Sequence, residues 1–537
     1  MPTIDFTLFA PTIAEASLIG SFSEWKGIPM NLEHGTFHCS IEISDGDHEY
    51  KFRIRRHNED NWIDVTDPYV TKYDPTKNTG IITIKNGKKI IDEYSWKHDD
   101  IKLPDNKDLI IYEMYVADFA VNGQFSGVIE KLDYLSDLGC NAIELLPIQE
   151  SMGMDHDWGY LPRHFLAFKT TYGSSADFKQ LVDECHRRKI RVIIDAVFNH
   201  TATDCPLAMI DRNYWYYKER HNPDDPCYWG PEFNFEYHDE QQNLKPAWKF
   251  ATDVVRYWIS EYHLDGIRFD AAKEMDNYDI LRELDNVARS VRGSQPFLTA
   301  AEYVPETPAI IKANGGPVDV CWSSTFHGVV ANNLVDENKF ELDLIKYIIS
   351  APDYINYLSC HDNERLLFLL DKNGNLFDDK TFICMRLAII ILFTSVGIPF
   401  IFQGEEIGDA REWGNEDQNK KIFPMQWDLL KNDRNRSLFN TWKQLIELRK
   451  KRGELREKVV NFIHEHLNNG VLVYTRSQEL IVITYFFTEE KSDYEINNIP
   501  QNGKWIDWLS KNEYQVDDNT LKTNLGPYDA KVLILQK

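Results

Sequence analysis

The pentapeptide Gly266-Ile267-Arg268-Phe269-Asp270 ends a short apolar run with an arginine and a carboxylate two positions apart. Residues so spaced on a strand point to one side, so Arg268 and Asp270 share a face at the strand's carboxyl end. A neighbouring guanidinium keeps a carboxylate ionised and oriented, which suits a nucleophile. A structural ion pair is the other reading of these five residues. Further polar residues follow other apolar runs: Asp195 with Asn199 and His200, Glu302, and His361 with Asp362.

Those residues need a frame. From Asp108 onward apolar strands alternate with amphipathic helices, the pattern of a parallel sheet. The expected strands are Leu109 to Tyr115, Ala142 to Leu146, Arg191 to Val197, Gly266 to Asp270, Phe297 to Glu302, Val318 to Trp322, Ile355 to Ser359 and Ile398 to Phe402. Eight of them predict a (β/α)8 TIM barrel, an α/β fold that builds its active site at the carboxyl ends of the strands.

The flanks read differently. Phe6 to Phe9, Ala16 to Ile19, Thr36 to Ile43, His48 to Ile54 and Gly80 to Ile84 are short alternating runs separated by turn residues, which predict a β-sandwich. After about Leu455 the runs Val471 to Tyr474, Leu480 to Phe486 and Lys531 to Leu535 predict a terminal antiparallel β-sandwich. The division expected is 1–95, 96–453 and 454–537, with an excursion at 201–245 that is too long for an ordinary connection. The excursion carries Tyr214 to Tyr217 and Tyr228-Trp229-Gly230-Pro231-Glu232-Phe233-Asn234-Phe235, either platforms for a ligand or a core of its own. Trp25 and Trp62 offer the same pair of readings, and for them packing is the one expected.

Composition narrows the partners. A net charge of −26 argues against nucleic acid and anionic membrane surfaces, and 43% hydrophobic residues suffice for a sizeable core. The apolar stretch Leu387 to Phe402 is interrupted by Thr394, Ser395, Gly397 and Pro399 and reads as a buried helix, a turn and a buried strand rather than a membrane span. Met1 to Asp5 lacks the basic and apolar regions of a secretion signal, and the eight cysteines have neither paired nor metal-like spacing. The expectation is a cytoplasmic protein with reduced, mostly buried thiols; oligomeric state is left open.

The amino-terminal segment, through Gly20-Ser21-Phe22-Ser23-Glu24-Trp25, Asp45 to Phe52 and Asp67-Pro68, resembles the early-set sandwich that precedes the barrel in many glycogen- and starch-modifying enzymes. From about Asp108 to Lys451 the chain resembles the α-amylase family of glycoside hydrolases. Asp195 to His200, Gly266 to Asp270, Ala301-Glu302 and Ser359 to Asn363 are similar, in order, to that family's four signatures. The resemblance implies Asp270 as nucleophile, Glu302 as general acid/base and Asp362 as the carboxylate that stabilises the transition state. It also implies that Tyr160, His200, Arg268 and His361 hold the sugar where the bond breaks, with Lys273 and Glu274 on the leaving-group side. These types suit glycosidic cleavage: the leaving oxygen needs a proton, and the oxocarbenium-like sugar carbon needs an anion on its other face.

Taken singly, Glu302 also reads as a barrel-lining partner of an arginine, His200 and His361 as satisfied core histidines, and Asp195 as a structural residue fixing its loop. Taken together they favour the functional reading, and the resemblance implies a retaining hydrolase of α-1,4-glucans. The runner-up is a glucan transglycosylase such as a 1,4-α-glucan branching enzyme, and behind it a silent glucan-binding scaffold. The signatures look closest to neopullulanase-like and amylase-like hydrolases, whereas the amino-terminal sandwich and Phe402 to Gly408 are also similar to branching enzymes and trehalose-releasing hydrolases. No cofactor is expected. Asp155, His156, Asp157 and Asn199 invite a calcium reading, but no oxygen-rich loop with calcium spacing accompanies them, and no metal is expected.

Overall fold

The computed structural model describes residues 2–153, 158–224, 226–335, 340–371, 379–411 and 423–536. Its centre is a closed barrel of eight parallel strands in chain order: Ile111–Met114, Ala142–Leu145, Arg191–Ala196, Gly266–Phe269, Leu298–Ala301, Val320–Ser323, Tyr354–Tyr357 and Ile398–Phe402. The first and last strands close it, with Ile111 opposite Phe400 and Glu113 opposite Phe402. All eight expected barrel strands are present in the expected order.

The strand period explains where chemistry sits. Side chains two apart face one side of a barrel strand. Ile111, Ala142, Ile193, Leu298, Ala300, Trp322 and Phe400 belong to one buried apolar cluster inside the barrel. Two positions beyond Ile111, Ala142 and Ile193 stand Glu113, Glu144 and Asp195, and two beyond Ala300 stands Glu302. The interior thus changes from apolar to charged toward the carboxyl ends. Helices outside the barrel pack their apolar faces on it; Pro246–Tyr262 buries Phe250, Val254, Trp258 and Tyr262. Ser175–Arg187 starts from a reciprocal cap between Ser174 and Asp177. Asp379–Thr394 and Ile398–Phe402 are the expected buried helix and strand. Among the described residues, no helix is long and apolar enough to cross a membrane.

The amino-terminal strands form two antiparallel sheets, one of three strands and one of seven. Their contacts to the barrel side include those of Arg56, whose Nε donates to the Ile210 carbonyl at 3.1 Å, and Tyr69, whose hydroxyl donates to Asp253 at 2.8 Å. Trp25 and Trp62 depart from the packing expected of them: they are 38% and 42% exposed. Trp25 sits in a left-handed turn at φ 62°, and Trp62 lies under the Arg55 guanidinium at 5.9 Å, so both rings stay at the surface. The carboxyl-terminal part is an eight-stranded antiparallel sheet around Val473, Ile483, Trp505 and Leu533. Six of the eight cysteines are buried.

Candidate active site

Arg268 is the hub. Fully buried, it donates through Nη1 to both oxygens of Asp195 at 2.7 and 2.6 Å and to Asp270 Oδ1 at 3.0 Å. Its Nη2 forms an ion pair with Glu302 Oε2 at 3.0 Å. Aromatic faces enclose it, with the guanidinium carbon 4.6 Å from the Trp322 ring and 6.0 Å from that of Tyr160. In so dry a setting an arginine is retained only where anions meet it from several directions.

The backbone places Asp270 and Glu302 beside it. Asp270 N donates to the Ala196 carbonyl at 3.1 Å and Glu302 N to the Phe269 carbonyl at 3.0 Å, continuing the barrel ladder past the strand ends. Ala271 then takes a left-handed φ of 47° and opens the short helix Ala272–Met275. That turn aims the Ala271 N–H at Glu302 Oε2, 2.9 Å away. A non-glycine residue held there is the kind of strain that functional sites keep.

On the other side, the Tyr160 hydroxyl bridges Asp195 Oδ2 at 2.5 Å and His361 Nε2 at 2.8 Å, and its ring stacks on His361 at 5.1 Å and 15°. His361 Nδ1 meets Glu113 Oε1 at 2.6 Å, and its Nε2 lies 3.2 Å from Asp362. Asp362 is about half exposed, with 49% of its side chain accessible, so it presents its carboxyl to whatever enters. His200 is buried, with Nε2 2.8 Å from the Tyr160 carbonyl. Arg268, Asp270, Glu302, Tyr160, His361, Asp362 and His200 therefore form one connected cluster, with Asp195 inside it. Lys273 and Glu274 border it on the helix after Asp270; Lys273 Nζ donates to the Val304 carbonyl at 2.9 Å.

Charge is unevenly shared. Burial, and next the Glu302 charge, push the Asp270 carboxyl well above the usual carboxylate range, and Arg268 opposes them. The sequence alone suggests an arginine dedicated to Asp270; in the fold its single charge is divided among Asp195, Asp270 and Glu302. For His361 burial disfavours the charged ring, but Asp362 and Glu113 outweigh it and raise the imidazole to about 9. Burial lowers His200 to about 4, leaving it neutral near pH 7.

Two acids of this cluster are absent from the sequence reading. Glu113 clamps His361 from the first strand through Nδ1 and, with Oε2, the His361 N–H at 3.1 Å. Glu144, its register partner on the second strand, is pushed well above the carboxylate range by burial and then by Glu113. The signal was a lone acid two positions beyond an apolar inward residue in each strand. Of the calcium candidates, Asp155, His156 and Asp157 lie outside the described residues, and Asn199 Nδ2 lies 3.3 Å from His200 Nδ1. Among the described residues, Cys360, His361 and Asp362 bring ligand-type atoms within 4.8 Å of one another. Both His361 nitrogens are already engaged by Glu113 and Tyr160, a poor arrangement for a metal ligand.

The excursion divides its aromatic residues. Tyr214, Trp215, Tyr216, Phe233 and Phe235 are buried as a small core, whereas Tyr228, Trp229 and Tyr237 are exposed. An antiparallel bridge pairs His200 with Glu232, so the excursion is anchored to the rim of the site.

A closed parallel barrel with acids gathered about one arginine at its carboxyl rim defines a barrel enzyme. The model of the α-amylase catalytic domain matches residues 56–313 and 329–437, and that of carbohydrate-binding module 48 (isoamylase N-terminal domain) matches residues 2–70. The chain belongs to the α-amylase family. It is 25% identical to the malto-oligosyltrehalose trehalohydrolase of Saccharolobus solfataricus over 90% of this chain and 92% of that protein. It is 24% identical to the 1,4-alpha-glucan branching enzyme of Oceanobacillus iheyensis, over 93% and 85%. The crystal structure of pullulanase type I from Bacillus subtilis, complexed with maltose, shares the fold with a TM-score of 0.82 at 20% identity, covering 100% of this chain and 84% of that one.

Proposed function

We propose that this chain is a retaining α-glucan hydrolase acting on α-1,4 linkages through a covalent glycosyl-enzyme intermediate. The observation that carries it is the Arg268 guanidinium, which touches Asp270 through one nitrogen and Glu302 through the other. Glu302 gives its proton to the glycosidic oxygen while Asp270 attacks the anomeric carbon from the opposite face. A proton on Glu302 removes its repulsion of Asp270 and leaves Arg268 to stabilise the Asp270 anion. After the leaving group departs, Glu302 takes a proton from water, whose oxygen attacks the same carbon and releases Asp270. Asp362 supplies negative charge around the developing cation, Asp195 is taken up by Arg268 and Tyr160 as a structural partner, and Arg268, Tyr160, His361 and His200 hold the ring. Lys273 and Glu274 face the leaving sugar.

A glucan transferase is the second reading, favoured by the likeness to a branching enzyme along nearly the whole chain. It differs only in the acceptor, a sugar hydroxyl in place of water. We place the units at 1–95, 96–453 and 454–537, with the excursion at 201–245, and read the buried thiols as those of a cytoplasmic protein.

The test is product analysis on amylose, glycogen and maltoheptaose before and after debranching. Shorter linear chains with new reducing ends support hydrolysis. New debranchable linkages without new reducing ends replace it with branching transfer, and longer linear chains with α-1,4 transfer. No change on any of the three sinks the glucan assignment.

A further inference from the structure

We propose that His464, His466 and Tyr494 form a binding site for a divalent transition-metal ion, Zn²⁺ or Cu²⁺, that clips together the two ends of the carboxyl-terminal sheet. The eight strands of that sheet run from Asn461–His466 at one end to Lys491–Ile496 at the other, so these two are its edge strands. An edge ordinarily stands apart. Here the two edges meet: the Tyr494 hydroxyl from one lies 3.0 Å from His464 Nε2 and 2.8 Å from His466 Nδ1 on the other. Asn498 Nδ2 crosses the same seam and donates to the Ile463 carbonyl at 3.2 Å.

The strand period builds the site. His464 and His466 are two apart, opposite Val473 and Val471 of the next strand, and so present both imidazoles on one side. Their rings stand at 87° with centres 5.7 Å apart and converge on the one phenol oxygen. Asn469, in the turn that follows, brings its Nδ2 to 3.0 Å from the same His466 Nδ1. A ring nitrogen carries one lone pair or one proton, so His466 Nδ1 cannot serve the amide and the hydroxyl fully at once. A cation in place of the shared proton relieves that conflict. Two imidazole nitrogens, the phenol oxygen and, with the amide turned over, the Asn469 oxygen each offer it a lone pair.

The donors select the ion. Two imidazoles and a phenol suit Zn²⁺ and Cu²⁺, whereas Ca²⁺ and Mg²⁺ need more oxygen than this set holds. The carboxylate between the two histidines, Glu465, is taken up by Lys346 and stands outside the set. His466 is exposed and His464 and Tyr494 are partly so, which lets an ion enter from solvent and lets the side chains turn to meet it. Tyr494 stands 28 residues from His466 along the chain, so a bound ion closes a long loop as well as the seam and stabilises the folded state.

The test is calorimetric titration of the whole chain, freed of metal with EDTA and dialysed, with zinc chloride and copper chloride, beside thermal melts with and without each ion. Wild type is expected to bind one ion with a micromolar Kd and to melt higher in its presence. His464→Ala and His466→Ala are each expected to weaken binding by at least about tenfold and to abolish the rise in Tm. Tyr494→Phe is expected to remove the phenolate-to-copper absorption band of the copper-loaded protein while leaving the two imidazoles to bind. Should His464→Ala not fold, the exposed His466→Ala carries the comparison. A wild type that binds neither ion, a histidine variant that binds as tightly as wild type, or binding without a rise in Tm overturns the clip.

Discussion

Glu113 and His361, 248 residues apart in the chain, meet in a buried 2.6 Å contact between Oε1 and Nδ1. Closure of the barrel brings them together, since the first strand lies between the second and the eighth. With Nδ1 committed to Glu113, Nε2 points to Tyr160 and Asp362. The contact has a pH signature. The folded His361 is raised from 6.5 to about 9, where Asp362 and Glu113 overcome burial. A histidine raised on folding lends its stability in full below the unfolded value and loses it as pH rises through the folded one. Wild type should therefore lose about 1–3 kcal/mol from this group between pH 6.5 and 9. Glu113→Gln should flatten that slope. Denaturant melts at several pH values in this window check it, and parallel slopes for the two proteins would refute the coupling.

Asp270 shows function set against stability. Its carboxyl is raised by burial and by Glu302, so its ionised form is disfavoured in the fold and stability falls as pH climbs above its ordinary 3.8. Asp270→Asn removes that cost while keeping the shape. The expected result is a kcat lower by roughly 10⁴ together with a gain of about 1 kcal/mol at pH 7. Turnover assays and thermal melts of the same preparation measure both. A variant that loses activity and stability together would mean that Arg268 needs the Asp270 charge more than burial resists it.

The barrel and the residues at its strand ends were legible because each strand is an apolar run that stops at a polar residue, and such a run identifies itself locally. Asp270, Glu302 and Asp362 could be collected from sequence for that reason. Glu113 and Glu144 could not: each stands near the end of an otherwise apolar strand and takes its meaning from a neighbour across the closed sheet, Glu113 from His361 and Glu144 from Glu113. The division of Arg268 among three acids was hidden for the same reason, since Asp195 is 73 residues away in sequence. Trp25 and Trp62 read as packing residues because large aromatic rings usually are; a left-handed turn and an exposed edge decide otherwise, and neither is written in the residue type.

Asp118 should act as a pH-dependent latch on the Phe423–Met425 stretch. Its Oδ1 accepts from Phe423 N at 2.8 Å and its carbonyl from Met425 N at 2.9 Å, while Oδ2 is buried with no hydrogen bond among the described residues. Burial raises the carboxyl from 3.8 to about 7 against the pull of Phe423 N. An acid raised on folding costs stability as pH rises from its unfolded value to its folded one, and the full cost applies above that. Asp118→Asn keeps an acceptor for Phe423 N and removes the charge, so it should stabilise by about 1–2 kcal/mol at pH 8 and by little near pH 4. Unfolding curves at the two pH values decide it. Equal effects at both would mean that the charge is not the cause.

Gly230 brings the backbone of the excursion into direct contact with the loop that bears His200. A methyl group there would meet the Thr201 carbonyl oxygen at 2.1 Å, a backbone atom that cannot turn aside. Thr201 N donates to the Pro231 carbonyl and Phe233 N to the Asn199 carbonyl on either side of His200, and the Tyr216 ring stacks on Phe233 at 4.8 Å. Gly230→Ala must therefore push the excursion outward, and the displacement passes first to His200 and to the indole of Trp229. The barrel core lies elsewhere, in the cluster around Ile111, Ala300 and Trp322. The expected cost is about 1–3 kcal/mol of stability and a rise in KM for maltoheptaose of about tenfold. Thermal melts and steady-state kinetics measure the two together. Should Gly230→Ala melt lower with KM unchanged, the excursion would be a structural brace alone, with no part in holding the chain that the barrel cleaves.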